Sequence, residues 1–154
     1  MRADLYNPKG YVALRRVLQS GASMSEPKTP SAQFEQGLAM RRQVMGDAFV
    51  DKAFAEADAF TLPLQEFVTE QAWGTVWQRG VLDLKTRSLL TLGMLAALGR
   101  SQELKGHVRG ALNNGASVAE IQEALLHSAV YAGVPLCVDA FRAAREVIAA
   151  HEAG

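Results

Sequence analysis

Glu103 and His107 stand four residues apart, so on a helix they stack on one face. A carboxylate one turn from an imidazole raises its basicity and holds its orientation. That is the equipment for general acid–base chemistry. The same spacing also occurs on ordinary exposed helix faces, and spacing alone leaves both readings open. Leu104, Val108 and Ala111 form the neighbouring apolar stripe, so His107 is expected at the edge of a core. A second cluster, Arg87, Ser88 and Thr91, lies along one side of a strongly apolar helix. A guanidinium in such surroundings needs a partner. Asp83, a residue of another chain, or a substrate carboxylate gripped in bidentate fashion would each serve. Arg109 falls about 200° round the helix from His107, so it is expected to face solvent or a neighbouring subunit.

Other reactive side chains carry less. His127 shares a polar stripe with Glu123 and Tyr131 and reads as solvent-facing or interfacial; His151 lies in a fraying tail. Cys137 is the single cysteine, with no thiol-activating motif around it, and reads as a small buried residue. No HxxxH, HExxH or CxxC spacing is present, so a dedicated metal site is not expected. Neither a GxGxxG or P-loop run nor a GxSxG elbow occurs, which leaves no sign of a nucleotide site or a nucleophile elbow.

The elements that must position these residues are helical. No alternating run of strand length appears. Helices are expected over about 32–44, ended by Gly46-Asp47; about 48–57; and about 61–74, carrying Leu64, Phe67, Val68 and Trp73. Asp83 is an N-cap for 84–98, closed by Gly99. Ser101 is expected to cap 102–113, closed by Gly115. Ser117 and Glu120 form a capping box for a helix to Ala132, stopped by Gly133, and Pro135 sits in the first turn of a last helix to about Ala150. The expectation is an all-α fold, a compact bundle of about six or seven helices. From Leu89 to Leu98 the fourth long segment is apolar nearly all round, which predicts burial on every side. In so small a domain a subunit interface would complete that burial, with Gly93, Ala96 and Ala97 allowing close approach. A central core helix is the other reading.

The chain has 154 residues, about half of them apolar, which suits one domain with a real core. Sixteen basic residues balance sixteen acidic ones, so neither nucleic acid nor an anionic membrane surface is expected as partner. No apolar run approaches the roughly 20 residues of a membrane span. A lone cysteine fits a reducing, cytoplasmic setting. Residues 1–30 are expected to be a disordered extension and 31–154 the domain. Arg15-Arg16 is followed by no apolar h-region, which argues against an export signal, and Met24 offers a second start.

Longer motifs then converge. Trp73-Gly74, Trp77 and Arg79 are followed by Leu82-Asp83, Lys85-Thr86-Arg87-Ser88-Leu89 and Ala97-Leu98-Gly99-Arg100. Glu103, His107, Arg109, Ala111 and Asn113-Asn114-Gly115 come next. Arg41-Arg42, Val44 and Gly46-Asp47 precede this run, and Tyr131, Gly133, Pro135 and Ala140-Phe141 follow it. Over about residues 34–150 the chain resembles the 4-carboxymuconolactone decarboxylases, within the alkylhydroperoxidase-D-like superfamily. The thiol peroxidases of that superfamily use a glutamate, a CxxC pair and a histidine. Those positions fall here on Ser88, Arg100, Glu103 and His107, so only the histidine matches and thiol redox chemistry is excluded.

The resemblance implies cofactor-free decarboxylation of 4-carboxymuconolactone to the β-ketoadipate enol-lactone in protocatechuate catabolism. It implies a small lactone carboxylate as substrate and a homo-oligomer, trimer or hexamer. Under it His107 would be the acid and Glu103 its orienting group. Arg87 or Arg79 would bind a substrate carboxylate, with Ser88 beside it, and Trp73 and Trp77 would wall the pocket or simply fill core. The sequence departs from the family pattern at Phe49, where histidine is common, at Gly80-Val81 in place of Pro-Gly, and at Leu84 in place of arginine. These departures motivate two alternatives: a relative acting on another lactone or keto acid, and a non-enzymatic helical assembly protein.

Overall fold

A computed structural model describes residues 30–153. They form seven α-helices, and no strand occurs among the described residues. In chain order these are α1 (Ala32–Met45), α2 (Asp47–Ala55), α3 (Leu62–Phe67), α4 (Leu84–Ala97), α5 (Ser101–Asn113), α6 (Val118–Ala132) and α7 (Val134–Glu152). A π-helical segment, Val68–Trp73, continues α3, and a short 3₁₀ turn spans Val76–Gln78. The all-α expectation holds. The extension expected over residues 1–30 lies outside the described residues except for Pro30. Within the stretch expected as one domain, the helices group into two compact units. Among the described residues, one holds 30–43 and Asp47–Arg79, and the other holds Val44–Gly46 and 80–153.

The first unit is built on aromatic packing. Phe34, Leu38, Val50, Phe54, Leu62, Trp73 and Trp77 are buried. Phe34 meets Phe54 edge to face with centroids 6.4 Å apart. The helix expected over 61–74 does not run as one α-helix. From Val68 it widens, and Gly74 N–H donates to the Thr69 carbonyl five residues back, at 3.0 Å. Leu64 and Phe67 of this stretch are exposed, and Trp73 is buried. Gly37 of α1 packs directly on this π-helical backbone. A methyl group at Gly37 would overlap the Thr69 carbonyl oxygen and come within 2.7 Å of Gly74 N. Only a glycine allows that approach.

The second unit has an aliphatic core of Leu92, Ala96, Leu104, Val108, Ala111, Ile121, Leu125, Ala140, Ala143 and Ala144. α4 packs on α5 and α6, and α7 packs on α5 and α6. Three alanines at the buried face of α7 keep that contact close. The caps behave largely as the sequence predicts. Asp83 accepts from Thr86 N–H at 2.6 Å, and Ser117 and Glu120 form the reciprocal box. Ser101 does not cap α5: it is the first helical residue, and the cap position, Arg100, makes no side-chain bond. Within a single chain α4 is buried on one side only. Ser88, Leu92 and Ala96 face inward at four-residue spacing. Leu90, Met94 and Leu98 fall on the opposite side and are 55%, 50% and 70% exposed.

Lys85 of α4 reaches Glu120 of α6 at 2.8 Å. That bond, with the Ser117 backbone N–H, holds the Glu120 carboxyl at about 2, well below its ordinary 4.5. A carboxyl depressed in the folded state adds stability above its unfolded value and loses it as pH falls through the folded value. Glu120→Gln is therefore expected to lower Tm at pH 7, with the difference from wild type closing between about pH 4.5 and pH 2. Equal differences at pH 7 and pH 2 in thermal melts would contradict this. In the first unit, Gly37→Ala is expected to cost about 2–3 kcal/mol or more, read from urea unfolding, because the added carbon meets backbone that cannot step aside.

Candidate active site

Each candidate side chain is placed by the helix that carries it. In the second unit, Leu104, Val108 and Ala111 are fully buried and turn α5 so that His107 sits half-buried beside them. The imidazole Nδ1 is itself buried. Glu103, one turn earlier, is exposed. Arg109 faces outward, as its position on the helix requires.

On α4, Arg87 is half-buried with its Nε buried. Its neighbour Ser88 points into the interior, where its hydroxyl accepts from Asn114 Nδ2 at 2.9 Å. Thr91 Oγ1 donates back to the Arg87 carbonyl at 2.9 Å. The Asn114 bond ties the end of α5 to the first turns of α4, so the helices bearing His107 and Arg87 are held together by a polar tie as well as by apolar packing. Asn113 adds a bond from Nδ2 to the Val44 carbonyl at 2.9 Å. Sequence reasoning placed both asparagines at a helix end but gave them no role. Paired amides at a helix terminus, aimed back at a neighbouring helix, were the available signal.

In the first unit, Trp73 and Trp77 are buried and stack with centroids 4.5 Å apart and planes 27° from parallel. Arg79, just after them, is exposed. Gln78 Nε2 donates to the Trp73 carbonyl at 3.1 Å and to the Gln36 carbonyl at 3.0 Å, which fixes the turn between the rings.

Other sequence candidates settle elsewhere. His127 is exposed and its ring lies 4.9 Å from that of Tyr131, and Cys137 is buried. A cavity of about 680 Å³ opens between α6 and α7, with apolar walls that include Leu125, Cys137 and Phe141. Neither His107, Glu103, Arg87, Ser88, Arg79 nor the two tryptophans line it. Among the described residues no group of three His, Cys, Asp or Glu side chains is placed to hold a metal ion, and no helix is long and apolar enough to cross a membrane.

Residues 63–146, more than half of the chain and including every candidate position, match the Carboxymuconolactone decarboxylase family. The chain belongs to this family. Relatives of this carboxymuconolactone decarboxylase-family chain differ in what their names say they act on. It is 49% identical over 115 residues to the nitrosuccinic acid decarboxylase of Metarhizium robertsii, covering 75% of this chain and 80% of that one. It is 40% identical over 114 residues to the 4-carboxymuconolactone decarboxylase of Acinetobacter baylyi, covering 74% and 85%. An uncharacterized 15.0 kDa protein of Paracoccus denitrificans is 30% identical over 137 residues, covering 88% and 90%.

If Asn114 sets the register of α4 on α5, Asn114→Ala is expected to cost about 1–3 kcal/mol, because it leaves the Ser88 hydroxyl buried without its donor. Pairing Asn114→Ala with Ser88→Ala is expected to recover part of that loss in a double-mutant cycle of urea unfolding. Strict additivity would contradict the tie.

Proposed function

We propose that this chain is a decarboxylase whose substrate carries its own electron sink, with His107 as the general acid. The observation that carries this reading is the placement of a half-buried imidazole on α5 and a half-buried guanidinium on the helix packed against it. Family membership supports the reaction class.

The substrate proposed first is 4-carboxymuconolactone. The bond between the ring carbon and the carboxylate breaks and CO2 leaves. The electron pair flows through the ring double bond into the lactone carbonyl, giving a dienolate. Protonation at carbon then yields the β-ketoadipate enol-lactone of protocatechuate catabolism. In this scheme Arg87 binds a substrate carboxylate, and Arg79 is the alternative from the family resemblance. His107 first donates a hydrogen bond to the growing oxyanion and then supplies the proton. Glu103, one turn before His107 on α5, is the group proposed to orient it. Ser88 stands next to Arg87 on α4 and takes the Asn114 bond that holds this helix to α5. A donor aimed at a developing oxyanion contributes about 3–4 kcal/mol.

The 49% identity to a nitrosuccinic acid decarboxylase favours a second substrate by the same logic. There the carbon that loses CO2 bears a nitro group, which accepts the electron pair as a nitronate before carbon is protonated. Both acids keep a second carboxylate after the reaction.

The test is turnover of each acid by purified protein, following CO2. His107→Gln is expected to lower kcat about 10²–10³-fold with the fold intact by circular dichroism. Activity within a few-fold of wild type removes His107 from the chemistry. Arg87→Ala is expected to lower kcat/KM about 10²-fold, mostly through KM. An unchanged value there, with a loss in Arg79→Ala, moves the carboxylate contact to Arg79.

The outward stripe of α4 supports an oligomer as the working form. Leu90, Met94 and Leu98 on α4, and Leu126 and Val130 on α6, are exposed apolar side chains that a second copy would cover. Leu90→Lys with Met94→Lys is expected to shift the light-scattering mass to that of a single chain. An unchanged oligomer would place the interface elsewhere.

A further inference from the structure

Two adjacent arginines near the end of α1 meet different fates. Arg42 takes both carboxylates that α2 offers, Asp47 at 3.1 Å and Asp51 at 2.6 Å. Arg41 turns inward and is only 6% exposed. Its Nη1 donates to Thr69 Oγ1 at 3.0 Å and its Nη2 to Gln65 Oε1 at 2.9 Å. The guanidinium carbon lies 5.7 Å from the centre of the Phe54 ring. All three partners are neutral, and among the described residues no carboxylate pairs with Arg41. A guanidinium has five N–H donors, and these two bonds leave three.

A buried cation without a counter-charge is costly, and a methionine would fill the same space without that cost. Burial pushes the Arg41 guanidinium down to about 10, so it still carries its charge at neutral pH. The residue that covers it also faces an opening. Gln65 lines a cavity of about 440 Å³ within the first unit, together with Phe49 and Lys52 of α2 and Thr61. Lys52 and Glu56 on its rim pair at 3.7 Å and cancel, so Arg41 is the unbalanced charge behind this wall. Thr69, the other residue bonded to Arg41, belongs to the π-helical segment, an arrangement frequent at functional sites.

We propose that Arg41 is a carboxylate-binding group. With the Gln65 amide swung aside, its remaining N–H donors take the two oxygens of a small organic carboxylate entering by this cavity. The class of ligand rests on the decarboxylase reading; the binding itself does not.

Succinate is a suitable probe, with sodium chloride at matched ionic strength as the control. At concentrations about tenfold above its Kd, succinate is expected to raise Tm by about 3 °C or more. Arg41→Met is expected to abolish the shift, and Arg41→Lys, which keeps the charge but loses the fork, to reduce it at least about twofold. Gln65→Ala uncovers the guanidinium and is expected to enlarge it. No shift in wild type, an equal shift with chloride, or an equal shift in Arg41→Met overturns the proposal. If Arg41→Met does not fold, unchanged shifts in both Arg41→Lys and Gln65→Ala overturn it instead. The measurement needs no turnover and is expected to give the same result in His107→Gln. An Arg41-dependent shift in a protein that decarboxylates neither acid would retire the proposed function and leave this site standing.

Discussion

One buried polar bond, from Asn114 Nδ2 to the Ser88 hydroxyl, sets the arrangement on which the rest of the second unit depends. Apolar packing between α4 and α5 tolerates small slips along the helix axes, because Leu92 and Ala96 meet Leu104, Val108 and Ala111 through non-directional contacts. A hydrogen bond inside that interface does not. Displacing α4 along its axis would strand a hydroxyl that is 1% exposed. The register so fixed decides which side of α4 holds Arg87 and which side of α5 holds His107. The Lys85–Glu120 pair applies the same logic to α4 and α6, with less force because it is solvated.

Much of this was legible in the sequence because it is local. Asp83, the Ser117–Glu120 box, Gly115 and Gly133 are capping chemistry, and each does in the structure what its type predicts. Composition around Leu89–Leu98 predicted burial all round α4 with a subunit interface completing it, and within one chain Leu90, Met94 and Leu98 are exposed. Periodicity finds an apolar helix but does not say what lies against each side. Ser101 misled for a related reason: a serine before an apolar run reads as a cap, whereas α5 starts one residue earlier and carries Ser101 within its first turn.

The first unit shows what local reading misses. The change from α to π geometry at Val68 is forced by no residue type in that segment. It accompanies the close seat of Gly37 on the Thr69 carbonyl, a contact between residues 32 positions apart. Arg41 and Arg42 are likewise indistinguishable by type and differ only in which way α1 turns them. For the candidate residues, the sequence named the side chains and the family resemblance named their roles. Only the structure could say that Ser88 is committed to Asn114, that Glu103 stands in solvent, and that Trp73 and Trp77 stack on each other.

The central claim is that His107 delivers a proton to carbon on one face of the bound intermediate that CO2 leaves behind, at the carbon next to the carbonyl of a dienolate or at the nitro-bearing carbon of a nitronate. Turnover in D2O, stopped early and followed by analysis of the isolated product, tests this most directly. The account predicts one deuterium at the protonated carbon in a single configuration, whichever of the two acids is the substrate. A racemic label would mean that bulk water protonates a released carbanion, and that His107 is not the acid.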